Sequence, residues 1–196
     1  VYKRQNMDQY TNNSGSKGNV IMGHGPRVHM NYNGSLVLAT TETGVLKIIS
    51  GASNKVTSVL ETSVDLDTWT YLTLVYDNSD FSVSVYKDGT LVATKNNTQQ
   101  LELFGDDPCI FFVGGAGFSG FCDEFQFFDR ALNSNDVKQA YSNPQNISGL
   151  TVWYDFNTIE EGSSFTNKVT ESDQVNTKAT SVSYTHLRAH ETTLHL

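Results

Sequence analysis

The sequence has few basic residues and no run of them. It contains 13 Lys and Arg against 21 Asp and Glu, a formal net charge of -8 at pH 7. Because nucleic-acid phosphates bind clusters of Lys and Arg, this balance argues against a nucleic-acid partner. No apolar stretch approaches the roughly 20 residues of a membrane span, so membrane insertion is not expected either. The acidity is consistent with solubility outside a cell.

Proline and cysteine are also scarce. With only 3 prolines and many Ser, Thr, Asn, Val and aromatic residues, the composition suits strands joined by polar turns. The 2 cysteines are Cys109 and Cys122. If the chain forms a hairpin about Ala116, a cross-strand disulfide between them is geometrically plausible. A register shift of one residue would instead leave Cys122 as a small buried apolar residue.

Few residues offer catalytic chemistry. Away from the C-terminal end the histidines are His24 and His29, and no Ser-His-Asp arrangement can be built from them. Asp123 and Glu124 are adjacent on a predicted strand, so they should point to opposite faces and cannot share a substrate as glycosidase carboxylates do. The other close acidic pairs lie in predicted loops: Asp65 with Asp67, and Asp106 with Asp107. The sequence therefore predicts a protein that is not an enzyme.

Short alternating or apolar segments predict many strands. They cover residues 20–22, 27–32, 35–39, 45–49, 55–60, 70–76, 81–86, 90–94, 101–104, 110–113 and 121–128. Within 70–76, Leu72, Leu74 and Tyr76 are predicted to share one face, opposite Tyr71, Thr73 and Val75. The spacing also predicts one helix over 134–141, with Asn133 as its N-cap, Asp136 in its first turn, and Leu132 stapling against Val137. Many short strands with one helix predict an all-β sandwich of two sheets.

Residues 121–128 alternate in a way that leaves one acid in an unusual place. Phe121, Asp123, Phe125 and Phe127 are predicted to share one face, so that Asp123 lies on the more apolar side of the strand. A buried carboxylate without a partner is costly, so Asp123 is expected to contact Arg130, backbone N–H groups or a Ca²⁺ ion. No Asp-x-Asp-x-Asp-Gly calcium loop is present.

The stretch GFSGFCDEFQFFDRALNSNDVKQAY resembles the C-terminal signature of the laminin-G-like jellyroll domains, in the concanavalin A-like lectin/glucanase superfamily. The segments WTYLTLVYD and VSVYKDGTLVAT are similar to that family's preceding strands, in the same order. The resemblance implies a two-sheet antiparallel jellyroll with one short C-terminal helix, in a superfamily that contains both binders and enzymes. The matching residues are Gly120, Asp123, Glu124, Phe125, Phe128, Asp129, Arg130, Ala131, Leu132 and Tyr141.

Both ends of the chain resemble a translated DNA adapter. One coding of VYKRQ is complementary to a coding of the peptide VSYT, which begins at Val182 near the other end. We therefore expect residues 1–5 and 182–196 to be artefacts of a metagenome fragment, and the predicted fold does not include them. This excludes His186 and His190, whose spacing would otherwise suggest a metal site on a helix.

The remaining chain divides into a domain and the start of something further. Residues 6–143 are predicted to form the laminin-G-like domain, lacking its N-terminal strands, and 144–149 a linker. Residues 150–181 begin with LTVWYDFN, which resembles the opening strand of the same family. That segment either starts a second, truncated repeat or completes the first domain, because an unpaired sheet edge accepts any compatible strand.

The resemblance also implies a calcium ion near the rim of the sheet, for which Asp123 and Asn157 are the candidate ligands. Glycan binding would need exposed aromatics and hydroxyl-binding polar groups. The candidates are Trp69 and Tyr71, with Tyr32 and Trp153 as further aromatics, against core packing for each.

The function expected from these observations is a non-catalytic carbohydrate-binding or adhesion module of a secreted or cell-surface bacterial protein, next to neighbouring domains of a larger chain. The alternatives are an accessory domain of a glycoside hydrolase whose catalytic domain is missing, and a structural spacer repeat.

Overall fold

A computed structural model of the protein describes residues 2–7, 19–25, 36–50, 56–96, 110–113, 118–143, 147–157, 164–165, 167–169, 178–183 and 190–195. The strands in these residues are β1 (Tyr2–Met7), β2 (Asn19–Gly25), β3 (Leu36–Thr40), β4 (Val45–Ser50), β5 (Val56–Ser63), β6 (Thr70–Asp77), β7 (Ser82–Lys87), β8 (Thr90–Lys95), β9 (Ile110–Val113), β10 (Gly120–Phe128), β11 (Leu150–Tyr154), β12 (Ser164–Phe165), β13 (Lys178–Ser183) and β14 (His190–His195). The helix is α1 (Ser134–Ser142).

The described strands form two sheets. One has 6 strands in the order β11-β10-β1-β6-β7-β8, and the other has 8 in the order β12-β13-β14-β9-β2-β3-β4-β5. Neighbouring strands in both sheets are antiparallel. The predicted all-β, two-sheet antiparallel sandwich with one short helix is therefore confirmed.

The main core lies between the two sheets. Strand β6 shows the predicted alternation: Leu72 and Leu74 point into this core, whereas Tyr71 packs in a separate cluster with the helix. Apolar residues from both sheets meet in the core, with Met7, Leu72, Leu74, Val83 and Val85 from one and Ile21, Met22, Leu36, Leu38, Leu46, Ile48 and Leu60 from the other. Face-to-face packing of this kind is what half-buried, period-two strands require.

Helix α1 covers part of the opposite face of the six-stranded sheet. Asn133 caps it through hydrogen bonds from the backbone N–H groups of Asn135 and Asp136, and Asp136 completes the capping box. Leu132 and Val137 are both buried in the cluster beneath the helix, as the staple predicts. No helix in the described ranges is long and apolar enough to cross a membrane.

The predicted hairpin between residues 110–113 and 121–128 is wrong. Strand β9 pairs with β14 and β2, and β10 pairs with β1 and β11, so both edges of each strand are occupied by other partners. Strands β9 and β10 therefore belong to different sheets. The predicted disulfide assumed this hairpin, which does not form. Cys122 is a free thiol, and Cys109 lies outside the described residues.

The end segments also form strands. β1 lies in the interior of the six-stranded sheet, between β6 and β10. β13 and β14 form an antiparallel pair beside β9. The predicted adapter origin of residues 1–5 and 182–196 stays a prediction, since pairing in a sheet does not report where a segment came from.

Strand β11 occupies the edge of the six-stranded sheet next to β10. Val152 and Tyr154 are buried there with Phe125 in one apolar cluster. In this chain, residues 150–154 thus extend the first sheet. That the same segment opens a second repeat in a longer protein stays a prediction.

Candidate functional site

The face of the six-stranded sheet that points away from the other sheet carries the candidate site, and we call it the outer face. On β6 it is marked by Tyr71, which packs with helix α1. Arg4 of β1 lies opposite both Tyr71 and Asp123, and Asn6 lies opposite Phe121. Because residues directly opposite each other share a face, Asp123 and Phe121 also lie on the outer face.

A β-bulge in β10 changes which residues face outward. Tyr2 pairs with Gln126 and Arg4 with Asp123, so two steps along β1 match three along β10. Glu124, inside this interval, has φ of 53°, a conformation uncommon outside glycine. Beyond Glu124 the alternation of side chains between the two faces is shifted by one residue, so Phe125 points into the interior.

The bulge corrects the predicted environment of Asp123. The sequence placed this acid on one face with Phe121, Phe125 and Phe127, but Phe125 and Phe127 pack on the inner side against the cluster of Val152 and Tyr154. Asp123 is half-buried, and its Oδ1 accepts a hydrogen bond of 2.9 Å from the backbone N–H of Glu124. A backbone contact was one of the predicted alternatives for this acid.

Two large aromatic side chains are exposed at one end of the outer face. Phe121 is 61 % exposed, and Trp69 is 48 % exposed. Thr70 pairs with Gln5, and Phe121 pairs with Asn6, so the two aromatics stand on either side of the end of β1. Trp69 directly precedes β6, and from its position two residues before the outward-facing Tyr71 we infer that it lies on the same face. We call Trp69 and Phe121 the aromatic pair.

Hydrogen bonds to β1 hold the loop that carries Trp69. The backbone N–H of Asp67 donates to the Met7 carbonyl at 2.8 Å, and Leu66 forms a bridge with Met7. Thr68 Oγ1 donates to the Leu66 carbonyl at 3.2 Å. Asp65, Asp67 and Thr68 are all exposed. Polar oxygens able to bind hydroxyl groups therefore lie beside an exposed indole.

Tyr71, the other predicted ligand-binding aromatic, is not available to stack against a ligand. It is 3 % exposed, and its ring lies 5.3 Å from that of Tyr141. Its hydroxyl donates to Gln126 Oε1 at 3.3 Å, and its backbone N–H donates to Asp88 Oδ1 at 2.9 Å. Core packing, the alternative considered for each aromatic, describes Tyr71. The further candidate Tyr32 lies outside the described residues.

Trp153 and Glu124 are joined across β10 and β11. The indole N–H of Trp153 donates to Glu124 Oε2 at 2.7 Å, and Trp153 is half-buried. This bond engages Glu124, while Asp123 accepts from the backbone. The adjacent acids thus each hold a local contact in the sheet.

The predicted Asp123–Arg130 contact is corrected. Arg130 forms an ion pair with Asp136, at 2.8 Å, and its guanidinium also donates to the carbonyl and hydroxyl oxygens of Ser148. Arg130 lies beyond the end of β10 at Phe128, and the stretch of strand from Asp123 to that end is roughly 16 Å long. The hydrogen bond from Arg130 holds the pKa of the Asp136 carboxyl below its usual value.

The predicted calcium ligands lie at the same end of β10 and β11, because Phe125 pairs with Tyr154 in an antiparallel ladder. Asn157 is exposed, and its backbone N–H contacts Asp155 Oδ1 at 3.4 Å. Asp155 in turn faces Lys168, with Nζ and Oδ2 3.1 Å apart. Calcium takes 6–8 oxygen ligands. The described part of the chain contains no group of three or more His, Cys, Asp or Glu that could hold a metal, and calcium binding by Asp123 and Asn157 stays a prediction.

The structure adds Phe121 to the site, which the sequence had assigned to an apolar strand face. The error came from the bulge, because a non-glycine residue at positive φ leaves no mark in the hydrophobic pattern. Phe121 follows Gly120 at the start of β10, whereas Phe125 lies in the middle of the strand. This position is the local sequence feature that distinguishes Phe121 from Phe125.

Comparison with known proteins places the fold. Residues 9–138, about two thirds of the chain, match the family described as the concanavalin A-like lectin/glucanases superfamily, in its laminin-G form. A candidate carbohydrate-binding protein from Bacteroides ovatus is similar, with a TM-score of 0.58 and 17 % identity over 85 % of this chain. The chain spans about half of that structure, 48 %.

A second similar structure is the heptameric SAP-like pentraxin from Limulus polyphemus. It has a TM-score of 0.50 and 16 % identity, over 74 % of this chain and 70 % of the pentraxin. At these identities the likeness shows the fold alone. No curated protein matches the chain at a significant level.

Proposed function

The chain belongs to the laminin-G-like domains of the concanavalin A-like lectin/glucanase superfamily, and we propose on that premise that it is a non-catalytic carbohydrate-binding module. The similar structure from Bacteroides ovatus, a candidate carbohydrate-binding protein, supports this choice among the functions found on the fold. A module of this kind works where glycans are exposed, so we place it in a secreted or cell-surface protein, with adhesion as its physiological outcome.

The observation that carries the proposal is the exposed aromatic pair on the outer face. Trp69 and Phe121 leave large apolar rings in water, although rings of this size dominate the cores of sandwiches. The C–H face of a sugar ring covers such a surface, and burying apolar area yields about 25 cal/mol per Å². The neighbouring Asp67 and Thr68 supply oxygens for the sugar hydroxyls, which fix orientation.

The acids in the described residues support binding over hydrolysis. Glycoside hydrolysis uses two carboxyl groups that flank one glycosidic bond. Asp123 and Glu124 are adjacent in the chain, and each accepts a hydrogen bond within the sheet. A carboxyl group that donates or accepts a proton in catalysis must reach the substrate. The Glu124 carboxylate instead accepts a hydrogen bond from the Trp153 indole N–H.

A glycan array with the full chain tests the proposal. We expect binding to at least one glycan, and about a tenfold loss of affinity in Trp69→Ala. Leu91→Ala is the matched control, since Leu91 is similarly exposed but lies on β8, at the far edge of the sheet. Absence of binding to every glycan, with and without calcium, would reject carbohydrate binding and favour a structural spacer.

A further inference from the structure

The spacing of the aromatic pair suits a chain of sugars. Phe121 and Trp69 flank β1 on two different strands, and both lie near the level of Asn6. Neighbouring strands are about 4.8 Å apart, so the backbones of the two residues are roughly 10 Å apart across the sheet. A six-membered ring built from bonds of about 1.5 Å is roughly 3 Å across. Linked sugars can therefore span the two residues, with a different sugar on each aromatic side chain.

The two side chains of the aromatic pair lie on the same face and at the same position along the strands. This arrangement sets the direction of the ligand. Both side chains are on the outer face, and a line between them crosses β10, β1 and β6 at right angles to the strands. A chain of sugars that touches both rings must run along this line. The loop with Asp67 and Thr68 lies at the Trp69 end and adds hydrogen-bonding groups there.

Charged side chains around the aromatic pair favour one chemical class of sugar ligand. Asp65 and Asp67 are exposed beside Trp69, and the chain as a whole carries a net charge of -8. These acids repel anionic sugars, because like charges brought together at a binding face lower affinity.

Resting on the proposed carbohydrate binding, we propose that the ligand is a neutral oligosaccharide that lies across β10, β1 and β6, with different sugars stacked on Phe121 and Trp69. The site is thus an extended platform for a glycan chain. A single sugar covers less of this platform than a chain of sugars does.

Calorimetric titration with neutral gluco-, xylo- and manno-oligosaccharides of increasing length tests this. The series runs from the mono- to the di-, tetra- and hexasaccharide. We expect affinity to rise at least about tenfold from the monosaccharide to the tetrasaccharide, as the second ring is engaged. Oligogalacturonate serves as the anionic comparison and is expected to bind more weakly than the neutral chains.

Variants locate the second contact. Phe121→Ala should lower tetrasaccharide affinity about tenfold, with little change for a monosaccharide bound at Trp69. Because Phe121 is exposed, this variant should keep the thermal midpoint of the parent protein, and Leu91→Ala controls for loss of an exposed apolar side chain. Trp69→Ala provides the converse measurement at the other position.

The outcomes separate this inference from the proposed function. Affinity that is independent of chain length, or unchanged by Phe121→Ala, overturns the extended platform and leaves carbohydrate binding standing. Tighter binding of oligogalacturonate overturns the neutral class. Failure of every sugar to bind rejects the proposed function itself and the platform with it.

Discussion

The indole N–H of Trp153 donates a hydrogen bond of 2.7 Å to Glu124 Oε2, joining edge strand β11 to the bulge in β10. Glu124 holds φ of 53° at this bulge, a conformation that a non-glycine residue keeps only where its surroundings support it. The bond thus connects a backbone distortion in a central part of the sheet to a strand at its edge.

Trp153→Phe removes the donor while keeping an aromatic ring, and should lower the free energy of unfolding by about 1.5 kcal/mol. Urea unfolding measures the change. The double-mutant cycle with Glu124→Ala, which removes the acceptor, isolates the bond, since the two substitutions should then be less than additive. Strict additivity would show that Trp153 contributes by packing alone.

Asn167 continues the sheet beside β11 with its side chain. Its Oδ1 accepts from the Trp153 backbone N–H at 2.8 Å, and its Nδ2 donates to the Thr151 carbonyl at 3.0 Å. Asn167→Ala should destabilise the fold by about 1–3 kcal/mol, because it leaves these backbone groups without the amide. Hydrogen exchange at the Trp153 amide should quicken. Asn157→Ala is the control, as Asn157 is exposed; equal effects of the two would contradict the edge role.

Gly149 is required by both conformation and space. Its φ is 84°, and an added Cβ would lie 2.6 Å from Asp129 Oδ1. We expect Gly149→Ala to lower the free energy of unfolding by about 1–3 kcal/mol, measured by urea unfolding. In an Asp129→Ala background the cost should shrink but persist, since the clash is relieved and the backbone strain is not. A neutral Gly149→Ala would contradict both parts.

Asp136 should contribute a pH-dependent part of the stability. Its folded pKa is lowered by the hydrogen bond from Arg130, so the ion pair stabilises the fold above the unfolded value of about 3.9 and is lost as pH falls through the folded pKa. Both side chains are partly exposed, so the effect should stay under about 1 kcal/mol. Comparing Asp136→Asn with the parent in urea at pH 7 and near pH 2 should show a gap only at the higher pH.

Chelation tests the predicted calcium ion. A calcium ion held by Asp123 and Asn157 would stabilise the folded state by mass action, so added Ca²⁺ should raise the thermal midpoint and EGTA should lower it. Asp123→Asn should remove this response. A midpoint that neither Ca²⁺ nor EGTA changes would rule out the ion.

The strands and the helix could be read from the sequence wherever the pattern was local. The period-two alternation at Tyr71 and Leu72 predicted opposite faces, and Asn133 with Asp136 predicted the capped start of α1. These features depend on a few consecutive residues, so no knowledge of the rest of the chain is needed to predict them.

The candidate site could be predicted only in part. Trp69 and Tyr71 were both candidate ligand-binding aromatics with core packing as the alternative, and Trp69 is exposed whereas Tyr71 is buried against Tyr141 at the end of α1. An aromatic side chain packs in a core or faces water according to what covers it, and the covering helix comes 63 residues later in the chain, at Ser134.

The sequence alone determined that this is a β-sandwich, because strand periodicity and turn residues are local in the chain, and the motif after Gly120 carried the resemblance to the laminin-G-like family. Only the tertiary structure decided that β9 and β10 belong to different sheets, that the bulge at Glu124 separates Asp123 from Phe125, and that Phe121 joins Trp69 on the outer face. Register and burial are set by partners distant in the sequence, since a one-residue shift in one strand moves its side chains to the other face.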